Sequence, residues 1–178
     1  HIKTNYPGVE VHLSTQNSTS NYKSVEYFKD EGIDRVVLAR ELSFEEINKI
    51  KEDVDVELEV FIHGALCVSY SGQCLISSKL FGRSGNKGAC AQLCRFKYDL
   101  YENDRKLDIK DDYLLSMKEL CAKDTIKNLL DIGFSSLKIE GRMKSKYYVG
   151  YVTKFYRMLI DKYYNNEELI IDNDELNK

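Results

Sequence analysis

At 178 residues the chain is long enough for a domain with a real buried core, and its 43% hydrophobic and 31% charged residues are ordinary for a globular protein in water. A net charge of −3 excludes a global basic field aimed at nucleic acid or an acidic membrane, leaving only local patches. No apolar run approaches the ~20 residues needed to span a bilayer.

The opening residues, His1 to Gly8, resemble the end of a helix followed by a turn. With no initiating Met, the natural N-terminus is expected to lie upstream. Val9 to Leu13 alternates apolar with polar residues, which predicts a strand. Ser14 to Asn21 is a polar loop with N-cap candidates for a helix over 22–31, whose Val25 and Phe28 share a face before Gly32 stops it. Arg35 to Ala39 reads as a strand buried on both faces. Ser43-Phe-Glu-Glu46 has the capping-box pattern, opening a helix with Phe44, Ile47 and Ile50 inward. Val54 to Ile62 is a third strand.

This β-α-β-α-β order implies a parallel sheet. Chemistry on such sheets gathers at the C-terminal ends of the strands. That rim would carry Ser14 to Gln16, Arg40, Glu41 and the turn from His63 to Cys67. A long glycine-rich loop follows to residue 98, of the kind that is usually functional. A hairpin is expected around Glu102-Asn-Asp-Arg105, a short strand at Tyr113 to Leu115, and a helix over 117–131, broken near Cys121 and stopped by Gly133. Ser136 to Ile139 reads as another strand, with Glu140 and Arg142 at its end. Tyr148, Val152, Phe155 and Leu159 mark a final helix from Ser145 to Tyr164. The acidic tail at 165–178 shows little periodicity. It is either a loose end or the start of a further region.

These are about five strand–helix units in an α/β fold. A closed (β/α)8 barrel needs eight. The sheet is therefore either open or the later part of a TIM-type barrel, with a cysteine-rich insertion and small hairpin after the third strand.

Four of the five cysteines, Cys67, Cys74, Cys90 and Cys94, lie in the loop, with Cys121 beyond. The spacing is neither that of a zinc finger nor that of a ferredoxin. Cysteines from separate loops can still converge on Zn²⁺ or an iron–sulfur cluster, because soft sulfur suits those metals. Arg83, Lys87 and Arg95 would offset thiolate charge. Buried cysteine can equally act as a small hydrophobe, a reading that suits Cys94 and Cys121 better than the other three. His63, after a strand, and Glu140 are weak catalytic candidates, since a lone histidine is more often a hydrogen-bonded structural group. No Gly-x-Ser-x-Gly elbow is present, so a serine mechanism is not expected.

The run Glu59-x-Phe61-x-x-Gly64-Ala-Leu-Cys67-x4-Gly72-x-Cys74-x-Ile-Ser77 closely resembles the signature of the collagenase-like peptidase family, peptidase family U32. So do His12-x-Ser-Thr-Gln16, Arg35 to Leu42, Cys90-Ala-Gln-x-Cys94-Arg95 and Leu137 to Lys144. The resemblance spans roughly residues 9–164, and the motifs occur in order. It implies residues 1–164 as a partial TIM-type barrel with its cysteine-rich insertion at 63–112, preceded in longer members by about three more strand–helix units. It also implies a 4Fe–4S cluster (or, failing that, Zn²⁺) on Cys67, Cys74, Cys90 and Cys121, with Cys94 as substitute.

The function implied is hydroxylation of RNA, with the tRNA wobble uridine as leading substrate and prephenate as co-substrate, by a cytoplasmic enzyme that could act as a homo- or hetero-dimer. Arg40, Arg95 and Arg142 would bind phosphate or carboxylates. The family name implies instead a peptidase, metal-assisted or not. A non-catalytic fragment or binding module is the third reading.

Overall fold

The computed structural model describes residues 1–169. After a short helix α1 (Ile2–Asn5), four strands run parallel: β1 (His12–Leu13), β2 (Arg35–Val37), β3 (Glu57–Gly64) and, much later, β7 (Ser136–Glu140). β1 pairs with β2, β2 with β3, and β3 with β7. Helices α2 (Tyr22–Asp30) and α3 (Phe44–Asp53) connect the first three strands. The capping box is present in full: Ser43 Oγ accepts from the Glu46 amide and the Glu46 carboxylate accepts from the Ser43 amide. Such a cap contributes about 1 kcal/mol.

β1 is shorter than the sequence pattern predicts. The Asp34 carboxylate takes the Val11 amide at 2.6 Å while the Val11 carbonyl accepts from the Asp34 amide at 3.0 Å, so a side chain supplies half of the pairing there. Residues 63–98 also hold a helix that the pattern did not show, α4 (Ile76–Phe81). The hairpin forms where expected, as β4 (Tyr101–Glu102) and β5 (Arg105–Lys106). Asn103 and Asp104, both at positive φ, make its turn.

The region after the hairpin differs from expectation. Leu114 and Leu115 lie in a turn, and Tyr113 to Leu115 forms no strand. The helix predicted over 117–131 begins only at Ile126, as α5 (Ile126–Ile132), after a 3-10 turn at Lys123–Thr125. In its place Leu120–Cys121 forms β6, antiparallel to the last two residues of β3. Pairing with β3 outweighs the weak helical pattern of these residues. The strand–helix count is thus four parallel strands plus one antiparallel strand, not five units, and no closed barrel is formed among the described residues.

The final helix, α6 (Lys146–Tyr164), is capped by Ser145 and buries Val152, Phe155, Tyr156 and Leu159. None of the described helices is long and apolar enough to cross a membrane. Residues 170–178, most of the predicted tail, lie outside the described residues.

β3 is the hub. Leu58, Val60 and Ile62 are essentially inaccessible and pack with Ile50, Ile126, Leu129, Phe155 and Leu159. Each side chain contributes about 1.5–3 kcal/mol by burial. The register of β3 against β7 shifts between Phe61 and His63. Alternation fails there, and Ile62, His63 and Gly64 are all buried in succession.

On the opposite face, charged pairs link neighbouring strands. Arg35 on β2 meets Glu57 on β3 at 2.5 Å, and Glu59 on β3 meets Lys138 on β7 at 2.9 Å. Burial pushes the Glu59 carboxyl up, but hydrogen bonds from Lys138 and Ser136 outweigh it and hold the group below its ordinary range.

Gly64 closes β3 at φ +108, where a Cβ would stand 2.1 Å from the Glu140 carbonyl oxygen. Gly64→Ala is therefore expected to cost about 2–5 kcal/mol, from left-handed strain plus forced separation of two strand backbones. Gly8→Ala, with nothing within 4 Å, should change stability by less than ~0.5 kcal/mol. Urea unfolding of the two variants checks the contrast.

Candidate functional site

A cavity of about 170 Å³ opens where β1, β2, β3 and β7 end. Its walls are Gln16 after β1, Arg40 after β2, the residues following β3, Glu140 at the end of β7 and Arg142 beyond it. Four cysteines line it: Cys67, Cys74, Cys90 and Cys94. All are free thiols.

Side chains rather than ladders hold the cysteine loop to the sheet. The Glu41 carboxylate accepts from the Ser71 amide at 2.5 Å and from the Ser71 hydroxyl at 3.1 Å. Gly72, at φ +75, lies so close to Gln16 that a Cβ would meet its carbonyl oxygen at 2.1 Å. Asn86 donates to the Gly72 carbonyl at 2.6 Å. Ser77, almost wholly buried, accepts from the Ala91 amide at 3.0 Å and donates toward Cys90 Sγ at 3.8 Å. The Gln92 amide adds a second donor to Cys90 Sγ at 3.3 Å. Two donors on one sulfur fix where it points.

Burial raises the Cys94 thiol above its ordinary value, and the nearby Cys67 raises it further. Arg95 pulls it down, and Cys90 pushes it up again. Cys67 and Cys90 are thus close enough to Cys94 to act on it. Even so, no three His, Cys, Asp or Glu side chains among the described residues gather around a single ion position.

The three predicted arginines separate into different roles. Arg40 donates to the Ala65 carbonyl at 3.1 Å, meets Glu140 at 3.6 Å and stacks 4.3 Å from the Phe61 ring centre. Its Nε is buried with no hydrogen-bond partner, so the group carries unused donor capacity in the cavity wall. Arg95 is a brace: it donates to Leu66 O, Ser116 Oγ and Met117 O at 2.5–2.6 Å. Arg142 lines the cavity, is exposed, and has no side-chain partner among the described residues. Its amide donates to Glu140 Oε1 at 2.9 Å, which fixes the turn after β7.

His63 and Cys121 lie elsewhere, off the cavity lining. They face each other in the β3–β6 register. His63 Nδ1 is 3.2 Å from the Tyr156 hydroxyl, which donates to Ile62 O at 3.1 Å and lies 3.9 Å from Cys121 Sγ. Tyr148 donates to Glu119 at 2.8 Å, and Lys144 pairs with the same carboxylate. Burial lowers the His63 pKa, Glu119 partly restores it and Lys144 opposes that. Burial also raises both tyrosines, so they stay protonated. His63 is thus a core histidine facing α6. Sequence reasoning placed Gln16 and Glu41 on the rim but did not identify Tyr70, Ser77 or Asn86. Of these only Ser77 carried a signal, as the last residue of the cysteine motif.

The family model of peptidase family U32 matches residues 1–178. A Bacillus subtilis (strain 168) relative named as a tRNA hydroxylation protein is 50% identical over 163 residues, covering 88% of this chain and 39% of the relative. An Escherichia coli (strain K12) relative named as a 23S rRNA 5-hydroxycytidine synthase is 41% identical, covering 90% of this chain and 24% of the relative. A Porphyromonas gingivalis relative named collagenase is 39% identical, covering 89% of this chain and 41% of the relative. The chain therefore spans less than half the length of each. No solved structure matches it.

Two outcomes follow from this geometry. In metal-free protein near neutral pH, iodoacetamide should label the exposed Cys67 and Cys121 before Cys94, by roughly ten-fold in rate, because only the thiolate reacts. Mass spectrometry of timed samples reads the order. For His63, a folded pKa below the unfolded value means that the unfolded chain binds the extra proton first. Its contribution to stability is intact above the unfolded pKa of about 6.5 and falls as pH drops below it. Urea midpoints across that range should flatten in His63→Gln.

Proposed function

The chain belongs to peptidase family U32, and we propose that within its full-length protein it carries the reaction site of an RNA hydroxylation enzyme whose target is the wobble uridine of tRNA. The names of the Bacillus and Escherichia relatives support RNA hydroxylation. The observation that carries the reading is the set of four free thiols lining one cavity, with no nucleophile–base pair beside them among the described residues. On this reading the parallel strands are the later part of a (β/α)8 barrel, with residues 63–112 inserted after β3. The protein works in the cytoplasm, where its RNA is.

The donor set fits a 4Fe–4S cluster. Soft thiolates match iron. Four thiols spread around one cavity, with Cys67 and Cys90 near Cys94, support a group that takes several thiolates. Cys67, Cys74 and Cys90 would hold it, with Cys94 or Cys121 as the fourth ligand. Ser77 and the Gln92 amide orient Cys90. When bound, such a cluster supplies one-electron redox chemistry.

The remaining steps belong to the chain's own side chains. Arg142, unpaired at the cavity mouth, binds an anion, either a phosphate of the RNA or a carboxylate of prephenate. Arg40, held by Glu140 and Ala65, keeps a second guanidinium in the wall behind it. The peptidase reading draws on the name of the Porphyromonas relative, but His63 faces Tyr156 rather than Cys67.

Full-length protein purified without air is expected to hold about four iron and four sulfide per chain, as one 4Fe–4S cluster requires. A strain lacking the protein should lose hydroxylated wobble uridine from its tRNA, read by nucleoside mass spectrometry. Iron-free protein, or unchanged tRNA, overturns the reading. Cys94→Ser and Cys121→Ser, compared for iron content, identify the fourth ligand by the larger loss.

A further inference from the structure

Between Glu59 and Asp99 the chain carries Lys79, Arg83, Lys87, Arg95 and Lys97 but no Asp or Glu, although its net charge is −3. This is the cysteine loop, which thus carries a local surplus of positive charge in a chain that is acidic overall. Arg95 is spent as a brace and Lys97 pairs with Asp112. Lys79, Arg83 and Lys87 are exposed and make no ion pair among the described residues. Arg83 uses Nε to hold the Ala89 carbonyl at 3.1 Å, which steadies the loop that presents all three cations.

Large side chains stand out among these charges. Tyr70 lines the cavity yet is 68% exposed, and Phe81 is 55% exposed. Solvated cations would cover such a surface poorly as a core. A partner with regularly spaced negative charges and flat apolar faces covers it well. That is the chemistry of single-stranded nucleic acid.

We propose that the outer face of the cysteine loop is the RNA-docking surface of the protein. Lys79, Arg83 and Lys87 contact phosphates, and Tyr70 stacks on an unpaired base at the cavity mouth. Arg142, across the mouth, continues the phosphate track. The inference rests on RNA being the substrate and assigns the surface that reads it. Bases in a duplex are already stacked on each other, so Tyr70 requires a loop or an end. A base held there stands beside the thiols, as chemistry on a base demands.

The test is binding of a short RNA stem-loop to the full-length protein by fluorescence anisotropy across a salt series. Alanine at Lys79, Arg83 and Lys87 should shallow the dependence of log affinity on log salt by roughly 0.7–0.9 per cation removed. Tyr70→Ala should weaken binding about ten-fold, within the range for stacking one base, and Tyr70→Phe should restore it. All four side chains are exposed, and thermal midpoints confirm that the variants fold.

An unchanged salt slope overturns the proposal, as does equal binding of a blunt duplex. So does a chain that sediments as a dimer and becomes monomeric in Leu80→Asp, with RNA binding unaffected, because the face would then belong to a second copy. Wild-type tRNA hydroxylation with an unchanged slope means that this surface is wrong while the function stands. A shifted slope with no loss of hydroxylation in the deletion strain means the reverse.

Discussion

The backbones of β3 and β7 come together at their ends more closely than any side-chain-bearing residue allows, and the site depends on that approach. Gly64 permits it, having no Cβ to meet the Glu140 carbonyl. The approach sets Glu140 opposite Arg40 across the end of β3 and lets Arg40 reach the Ala65 carbonyl. Three strand ends are thereby tied through one guanidinium. An Arg with a desolvated donor is costly on its own, since burying an unpaired N–H costs about 1–3 kcal/mol. The carboxylate of Glu140 and the face of Phe61 offset that cost.

With the strand ends fixed, the loop beyond them carries little regular structure besides the short α4. The backbone groups it turns inward must still be satisfied. Here Glu41, Ser77, Asn86 and Arg95 do so from the side-chain side. Hydrogen bonds to charged groups contribute about 1.5–3 kcal/mol each, and Glu41 and Arg95 supply such bonds from opposite ends of the loop. The cysteines are therefore displayed by a frame that is polar and specific rather than packed. This explains why so many large side chains beside them are exposed: the apolar burial of the molecule is spent on the helix side of β3.

Cys94 and Cys121 are both available as the fourth ligand of the proposed cluster, and the costs of using them differ in kind. Cys94 already stands on the cavity wall, but its charge is opposed by burial and by two neighbouring thiols. Cys121 is exposed, but it belongs to β6, which pairs with β3 over only two residues. Undoing that pairing costs about 1 kcal/mol per bond. Metal–thiolate binding free energies are several times larger. Neither cost is prohibitive against a cluster. The shortness of β6 makes the segment after the hairpin the most adaptable part of the site.

How much of this could be read from the sequence follows the range of each interaction. The capping box at Ser43, the glycine stop at Gly133 and the apolar stripe of α6 are local, and local pattern predicts them. Leu120–Cys121 is a strand only because the end of β3 offers it a partner, and no window around those residues contains that information. The helix α4 hid because Ile76, Leu80 and Phe81 do not turn toward the core, leaving no buried stripe to detect. His63 illustrates the limit most sharply. It stands four residues before Cys67, and adjacency suggested a shared site. One register shift between Phe61 and His63 carries it to the helix side, against Tyr156, while the cysteine turns to the cavity. A strand alternates sides by rule, so a single irregularity is enough to separate two neighbours in sequence by the full thickness of the sheet.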